Sequence, residues 1–196
     1  MAERAEETRE TLISTARELF GERGYAAVGT EEIVRRARMT RGALYHHFQS
    51  KEDLFRAVYE AVERDLVEQI AAIAASARDP VEALHAGARV FLDACENDAV
   101  RRIALIDAPS VLGWEQWREI GMKYSVGLVQ STLEAGIDAG LIERQPVRPL
   151  THLLLGSIDE AGMLVARADD AGKTKREVAA AIDRYLTALT GHGPSA

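Results

Sequence analysis

The chain has 196 residues, 47% of them hydrophobic and 28% charged, with a formal net charge of -7 and a single cysteine. That is enough chain for a sizeable core; it excludes an intrachain disulfide framework and a multi-cysteine metal site. Ten basic residues stand against eleven acidic ones in 1–60, and fourteen against twenty in the remainder, so a protein that coats DNA without orientation is excluded too. The first residues, MAERAEETRETLI, are acidic and carry no apolar signal core, which predicts a cytoplasmic protein. Apolar runs such as LTHLLLGSI at 150–158 are broken by polar residues and fall far short of the ~20 a membrane span needs.

Residues 7–24 have helical period, with Leu12, Ala16, Leu19 and Phe20 on one stripe and Gly21 or Gly24 as a stop. Thr30 is the expected N-cap of a short second helix, with Glu31 and Glu32 where the helix dipole favours acids and Ile33, Val34 and Ala37 facing inward. Arg38 and Met39 make a turn, and Thr40 caps a third helix over about 41–48. Four arginines (Arg35, Arg36, Arg38, Arg41) lie between Ile33 and Ser50 with no acid among them.

Within the third helix, Leu44 and Phe48 share a face and point inward, which leaves Arg41, Tyr45 and His46 outward. A helix-turn-helix reader places the N-terminal residues of its second helix at base edges in the major groove. Arg41 can donate two bonds to a guanine, and Tyr45 and His46 can reach phosphates or thymine methyls. Thr40 can serve as both cap and DNA contact, and Gly42 allows close approach to a backbone. Ser50 caps the next helix, and Lys51 at its start suits a phosphate.

These residues carry a resemblance. The helix end ARELFGERGY, the pattern T-x-x-I-V-x-x-A and the run RGALYHHFQSKEDLF make residues 11–55 closely similar to the N-terminal domain of the TetR (tetracycline-repressor) family. The resemblance implies a homodimeric, all-α regulator with three DNA-binding helices and a C-terminal ligand-binding core. It implies DNA contacts at Thr40, Arg41, Tyr45, His46 and Lys51, with Thr30 as a phosphate contact. The chain departs from the family in its turn, ARMTRG, where many members place glycine or another small residue near Met39. The segment IALIDAPSVLGWEQWREI is similar to one C-terminal type of the family.

A long helix is predicted from Lys51 to about Ala77, its stripe joining the reading head to the body. Asp79-Pro80 opens a helix lined by Leu84, Ala88, Phe91 and Cys95. A shorter helix is predicted over about 99–107 with Pro109 as its stop, then a long one to Ala139. Pro149 is the expected start of the next helix, whose broad stripe includes Leu150, Leu154, Ile158 and Ala161. The last helix carries Val178, Ile182, Tyr185 and Leu189. Two such helices suit a four-helix bundle across a two-fold axis, as the resemblance also implies, or they close the monomer core.

Trp114, Trp117 and Tyr124 fall close together in a chain poor in aromatics, and Phe91, Cys95 and Ile103 can converge with them. Such a lining suits a small apolar or aromatic effector, with Asp107, His152 and Asp159 among the polar groups able to orient it; packing in the core is the alternative for each. His152 and Asp159 are two turns apart, a poor pair for a metal. No metal or cofactor is expected, and without a phosphate loop or nucleophile–base spacing no enzyme is expected. The predicted organisation is a helix-turn-helix domain over 1–50, an effector-binding and dimerisation domain over 51–190 and a flexible tail over 191–196. The predicted function is a homodimeric regulator reading a palindromic operator, most simply a repressor released by a ligand. A regulator without a small-molecule effector, and an activator, are the alternatives.

Overall fold

A computed structural model describes residues 2–189, and among them all regular structure is helical. In chain order the helices are α1 (Ala2–Arg23), α2 (Thr30–Arg36), α3 (Arg41–His47), α4 (Lys51–Ala74), α5 (Pro80–Ala94), α6 (Asp98–Val100), a π-helical segment (Arg101–Asp107), α7 (Ala108–Val111), α8 (Trp114–Asp138), α9 (Val147–Ala166) and α10 (Ala171–Leu189). The predicted tail, 191–196, lies outside the described residues. No described helix is long and apolar enough to cross a membrane.

The chain forms two compact units. One comprises the described residues up to Glu63 together with Asn97–Arg118; the other comprises Arg64–Glu96 and the described residues from Glu119 onward. Thus 97–118 packs with the N-terminal helices, although it lies far from them in sequence.

In the first unit, Leu12, Phe20, Ile33, Leu44 and Phe55 are fully buried. The Phe20, Tyr25 and Phe55 rings form a cluster, with centroids 5.0–5.7 Å apart. At Gly21, a Cβ would lie 2.7 Å from that of Ala99, so glycine is what lets α6 sit against α1. Asn97 caps α6, its Oδ1 accepting from the N–H groups of Ala99 and Val100 at 3.1 Å. The Trp117 indole donates to the Ala104 carbonyl at 2.8 Å, and the Tyr59 hydroxyl donates to that of Trp117 at 3.3 Å.

In the second unit, α5, α9 and α10 pack together, burying Leu92, Leu154, Val165 and Leu186. Asp79 caps α5, accepting from the Glu82 N–H at 2.8 Å, with Pro80 in the first turn as predicted. Lys175 on α10 bridges to Asp93 at 2.5 Å and Glu96 at 2.6 Å.

Several boundaries differ from the sequence reading: α1 starts at Ala2 rather than residue 7, and α4 ends at Ala74 rather than near Ala77. Thr30 is the first residue of α2, and Gly29 is its cap, with no side-chain bond. Pro109 does not stop a helix: the chain winds as a π-helix over Arg101–Asp107 and continues into α7. The wider winding ahead of the ring carries the chain past a residue that clashes with the carbonyl four positions back in an α-helix. The next helix starts at Val147, so Pro149 falls in its first turn, where an N–H has no intrahelical acceptor.

Phe20→Ala is expected to lower the unfolding free energy by about 3–5 kcal/mol, measured by urea denaturation of the full chain.

Candidate nucleic-acid interface

The helix-turn-helix residues divide as their spacing demands. Leu44 is 0% and Phe48 3% exposed, while Arg41, Gly42, Tyr45 and His46 are open to solvent on α3. Thr40 caps this helix, its hydroxyl accepting from the Ala43 N–H at 3.1 Å. The Arg41 guanidinium lies 5.5 Å from the centre of the Tyr45 ring and 3.4 Å from the Glu31 carboxylate. His46 stands edge-on to His47, ring centres 5.2 Å apart.

Arg36 pairs with Glu18 at 3.5 Å and Arg35 with Glu32 at 3.9 Å. Glu32 also accepts from Arg23 at 2.5 Å, and that bond holds its carboxyl below the usual range. Exposed ion pairs of this kind add little to stability, so these arginines can exchange a carboxylate for a phosphate at small cost.

Lys51, expected to contact a phosphate, also holds the turn after α1. Its ammonium donates to the Tyr25 carbonyl at 2.6 Å and lies 3.9 Å from the centre of the Tyr25 ring. Burial pushes its pKa down, and the Asp107 charge opposes that shift. Burial likewise raises the Tyr25 phenol. This bond uses one of the ammonium's three donors.

Asp107, expected to orient an effector, lies at the exit of α1. Its carboxylate accepts from the Tyr25 N–H at 2.7 Å. Arg102 donates to the carbonyls of Gly21, at 3.0 Å, and Glu22 at the end of α1. Arg102, Asp107 and Lys51 thus close over the exit of α1. Sequence reasoning missed Arg102 altogether, since nothing local pairs it with a helix some eighty residues away.

The remaining residues expected around an effector divide between the units. In the first, Ile103 and Trp117 are buried structural groups and Trp114 is 56% exposed, its ring 4.8 Å from that of Trp117. In the second, Cys95 is buried, Phe91 lies against Gly162, Tyr124 and Asp159 are half-buried and His152 is exposed. An open groove of about 360 Å³ in that unit is lined by Arg78, Asp79, Glu82, His85 and Arg89 beside Val81 and Leu141, a charged surface unlike the predicted apolar lining.

Of the residues expected at a dimer interface, Leu150, Leu154, Ala161 and Ile182 are at most 7% exposed within the chain itself. Ile158, Val178, Tyr185 and Leu189 are half-buried. The apolar side chains that α9 leaves open are Leu153 and Leu164, at 66% and 52%.

Comparison with known proteins agrees with this geometry. Residues 12–58 match the family model for bacterial regulatory proteins of the tetR family, and residues 81–189 match the tetracyclin repressor-like, C-terminal domain. The crystal structure of a TetR-family transcriptional regulator from Pectobacterium atrosepticum is similar over 97% of this chain and 98% of its own, with 32% identity and a TM-score of 0.88. The transposon Tn10 TetC protein of Escherichia coli is 28% identical over 149 residues, which is 76% of this chain and 75% of its own length. RolR, crystallised with the ligand resorcinol, shares the fold at a TM-score of 0.76 and 22% identity, over 100% of this chain and 99% of its own.

Lys51→Met keeps the stem over Tyr25 but removes the charged donor. It is expected to cost about 1.5–3 kcal/mol of stability, measured by urea denaturation. Unchanged stability with a shallower salt dependence of DNA binding would instead make Lys51 a phosphate contact.

Proposed function

This chain belongs to the TetR family of bacterial regulatory proteins, and from that premise we propose which residues read its operator and what releases it. As a member of the family it is a DNA-binding transcriptional regulator; such regulators act as dimers and are not enzymes. The assignment of α3 as the reading helix rests on one observation: Leu44 and the helix's cap Phe48 are buried, which leaves Arg41, Tyr45 and His46 outward together. Arg41 donates to a guanine edge, held against Tyr45; Tyr45 and His46 reach phosphates or thymine methyls; Gly42 lets α3 lie close to the DNA backbone. Thr40 and Thr30 contact phosphates at the starts of α3 and α2. The protein works in the cytoplasm, where the chromosome is.

Two copies meet across α9 and α10, with Leu153 and Leu164 as the apolar residues a second copy covers. A dimer can then offer two reading helices to a palindrome whose half-sites lie about 34–36 Å apart, one helical turn of DNA. A small apolar or aromatic effector bound in the C-terminal region, around residues such as Phe91 and Tyr124, releases the operator by preferring a conformation that does not fit it. RolR offers a precedent within the fold, since it holds resorcinol. Repression follows if the operator overlaps a promoter, activation if it lies upstream of one.

Selection from random duplexes tests the reading. The protein is expected to enrich a palindrome; Arg41→Ala is expected to relax one base position by about 1–3 kcal/mol of discrimination, and Tyr45→Ala to weaken binding. A folded dimer that enriches nothing at low salt contradicts it. Paired Leu153→Glu and Leu164→Glu changes are expected to yield monomers in sedimentation, and a persistent dimer would place the interface elsewhere.

A further inference from the structure

Arg38 is the single non-glycine residue with positive φ among those described, at φ 57°. It stands at the end of α2, where the chain turns towards α3. The hydrogen bonds there define the motif: the Met39 N–H reaches back to the Val34 carbonyl at 2.8 Å, and the Arg38 N–H to that of Arg35 at 3.2 Å. This is the helix stop in which a left-handed residue follows the cap, and that residue is most often glycine because a Cβ crowds the backbone there.

The chain uses glycine elsewhere for the same task. Gly140 ends α8 with the same pair of bonds, 3.0 Å from its N–H to the Ile137 carbonyl and 2.9 Å from the Leu141 N–H to that of Gly136. Gly24, at φ 83°, follows α1. At the one such turn inside the helix-turn-helix the residue is arginine. This is also where the sequence departs from the family pattern, one position before Met39.

Its charge is the second observation. Arg35, Arg36 and Arg41 each have a carboxylate within 4 Å. Arg38 is exposed, and among the described residues no acid pairs with it. It lies two positions ahead of Thr40, the cap of the reading helix. A reading helix enters the groove by its N-terminus while the helix before it crosses the backbone, so the turn between them runs past phosphates. Strain held at a site by its surroundings points to a use for the strained residue.

We propose that Arg38 is a DNA-phosphate contact, an unpaired cation held at a left-handed helix end where glycine would fold more easily. The inference rests on the DNA-reading assignment above and adds a contact to it. Because a phosphate carries no sequence information, the contact strengthens binding to all duplexes alike.

The test uses the full-length protein and a mixed-sequence duplex of about three helical turns, with affinity measured across a range of salt concentrations. Arg38→Gly is expected to raise Tm by about 2–4 °C while weakening binding several-fold. The slope of log affinity against log salt is expected to fall by about 0.9 per DNA-bound chain. Arg38→Asn, which also tolerates the left-handed conformation, is expected to lose the same slope, and Arg38→Lys to keep it. A wild-type slope and affinity in Arg38→Gly would overturn the proposal. So would a loss that is equal at every salt concentration and shared by Arg38→Lys, which would assign the effect to turn geometry. A wild-type protein that binds no duplex would instead remove the DNA-reading assignment, and this contact with it.

Discussion

The N–H and the carbonyl of Tyr25 are both bonded by side chains remote in sequence, and these bonds tie the first unit together. A helix ends with orphan carbonyls, and a buried backbone group left unpaired costs as much as a lost hydrogen bond. Here the chain leaves α1 through Gly24 in the left-handed conformation. Asp107 accepts from the Tyr25 N–H, Lys51 donates to its carbonyl, and Arg102 takes the carbonyls of Gly21 and Glu22. Three side chains from two distant stretches therefore meet at one turn of backbone. Residues 97–118 consequently fold with the reading helices rather than with the chain on either side of them.

The same contacts couple residues 101–107 to the DNA-reading helices within the first unit. Asp107 ends the π-helical segment, and Arg102 lies within it. A displacement of that segment either carries the exit of α1 with it or leaves the Tyr25 N–H without an acceptor, at a cost of about 1–3 kcal/mol. That is the size of a typical coupling between two binding sites. The position of α1 in turn supports α2 and α3, both of which pack on it. A change of conformation in 97–118 can thus be felt at Arg41 and Tyr45 through bonds of ordinary strength.

Much of the fold was legible in the sequence because its signals are local. The stripe Leu12, Ala16, Leu19, Phe20 and the pair Leu44, Phe48 follow from helical period alone, and all are buried. Thr40 and Asp79 cap helices where their spacing predicts. What was not legible depends on partners remote in sequence. Lys51 meets the Tyr25 carbonyl 26 positions away, and Asp107 meets the Tyr25 N–H 82 positions away, contacts that no local pattern announces. Period alone also cannot separate a stripe that closes its own core from one that a second copy covers. Leu150 and Leu154 prove to be the first kind, whereas Leu153, one residue away, is open.

Hydrogen exchange on Asp107→Ala tests the account at its centre. Removing this acceptor is expected to speed exchange at the Tyr25 amide and to spread that loss of protection into both the end of α1 and residues 101–107, because one clamp orders both. Faster exchange confined to 101–107, with Tyr25 protected as in the wild-type protein, would contradict the claim that this contact binds the segment to the DNA-reading helices.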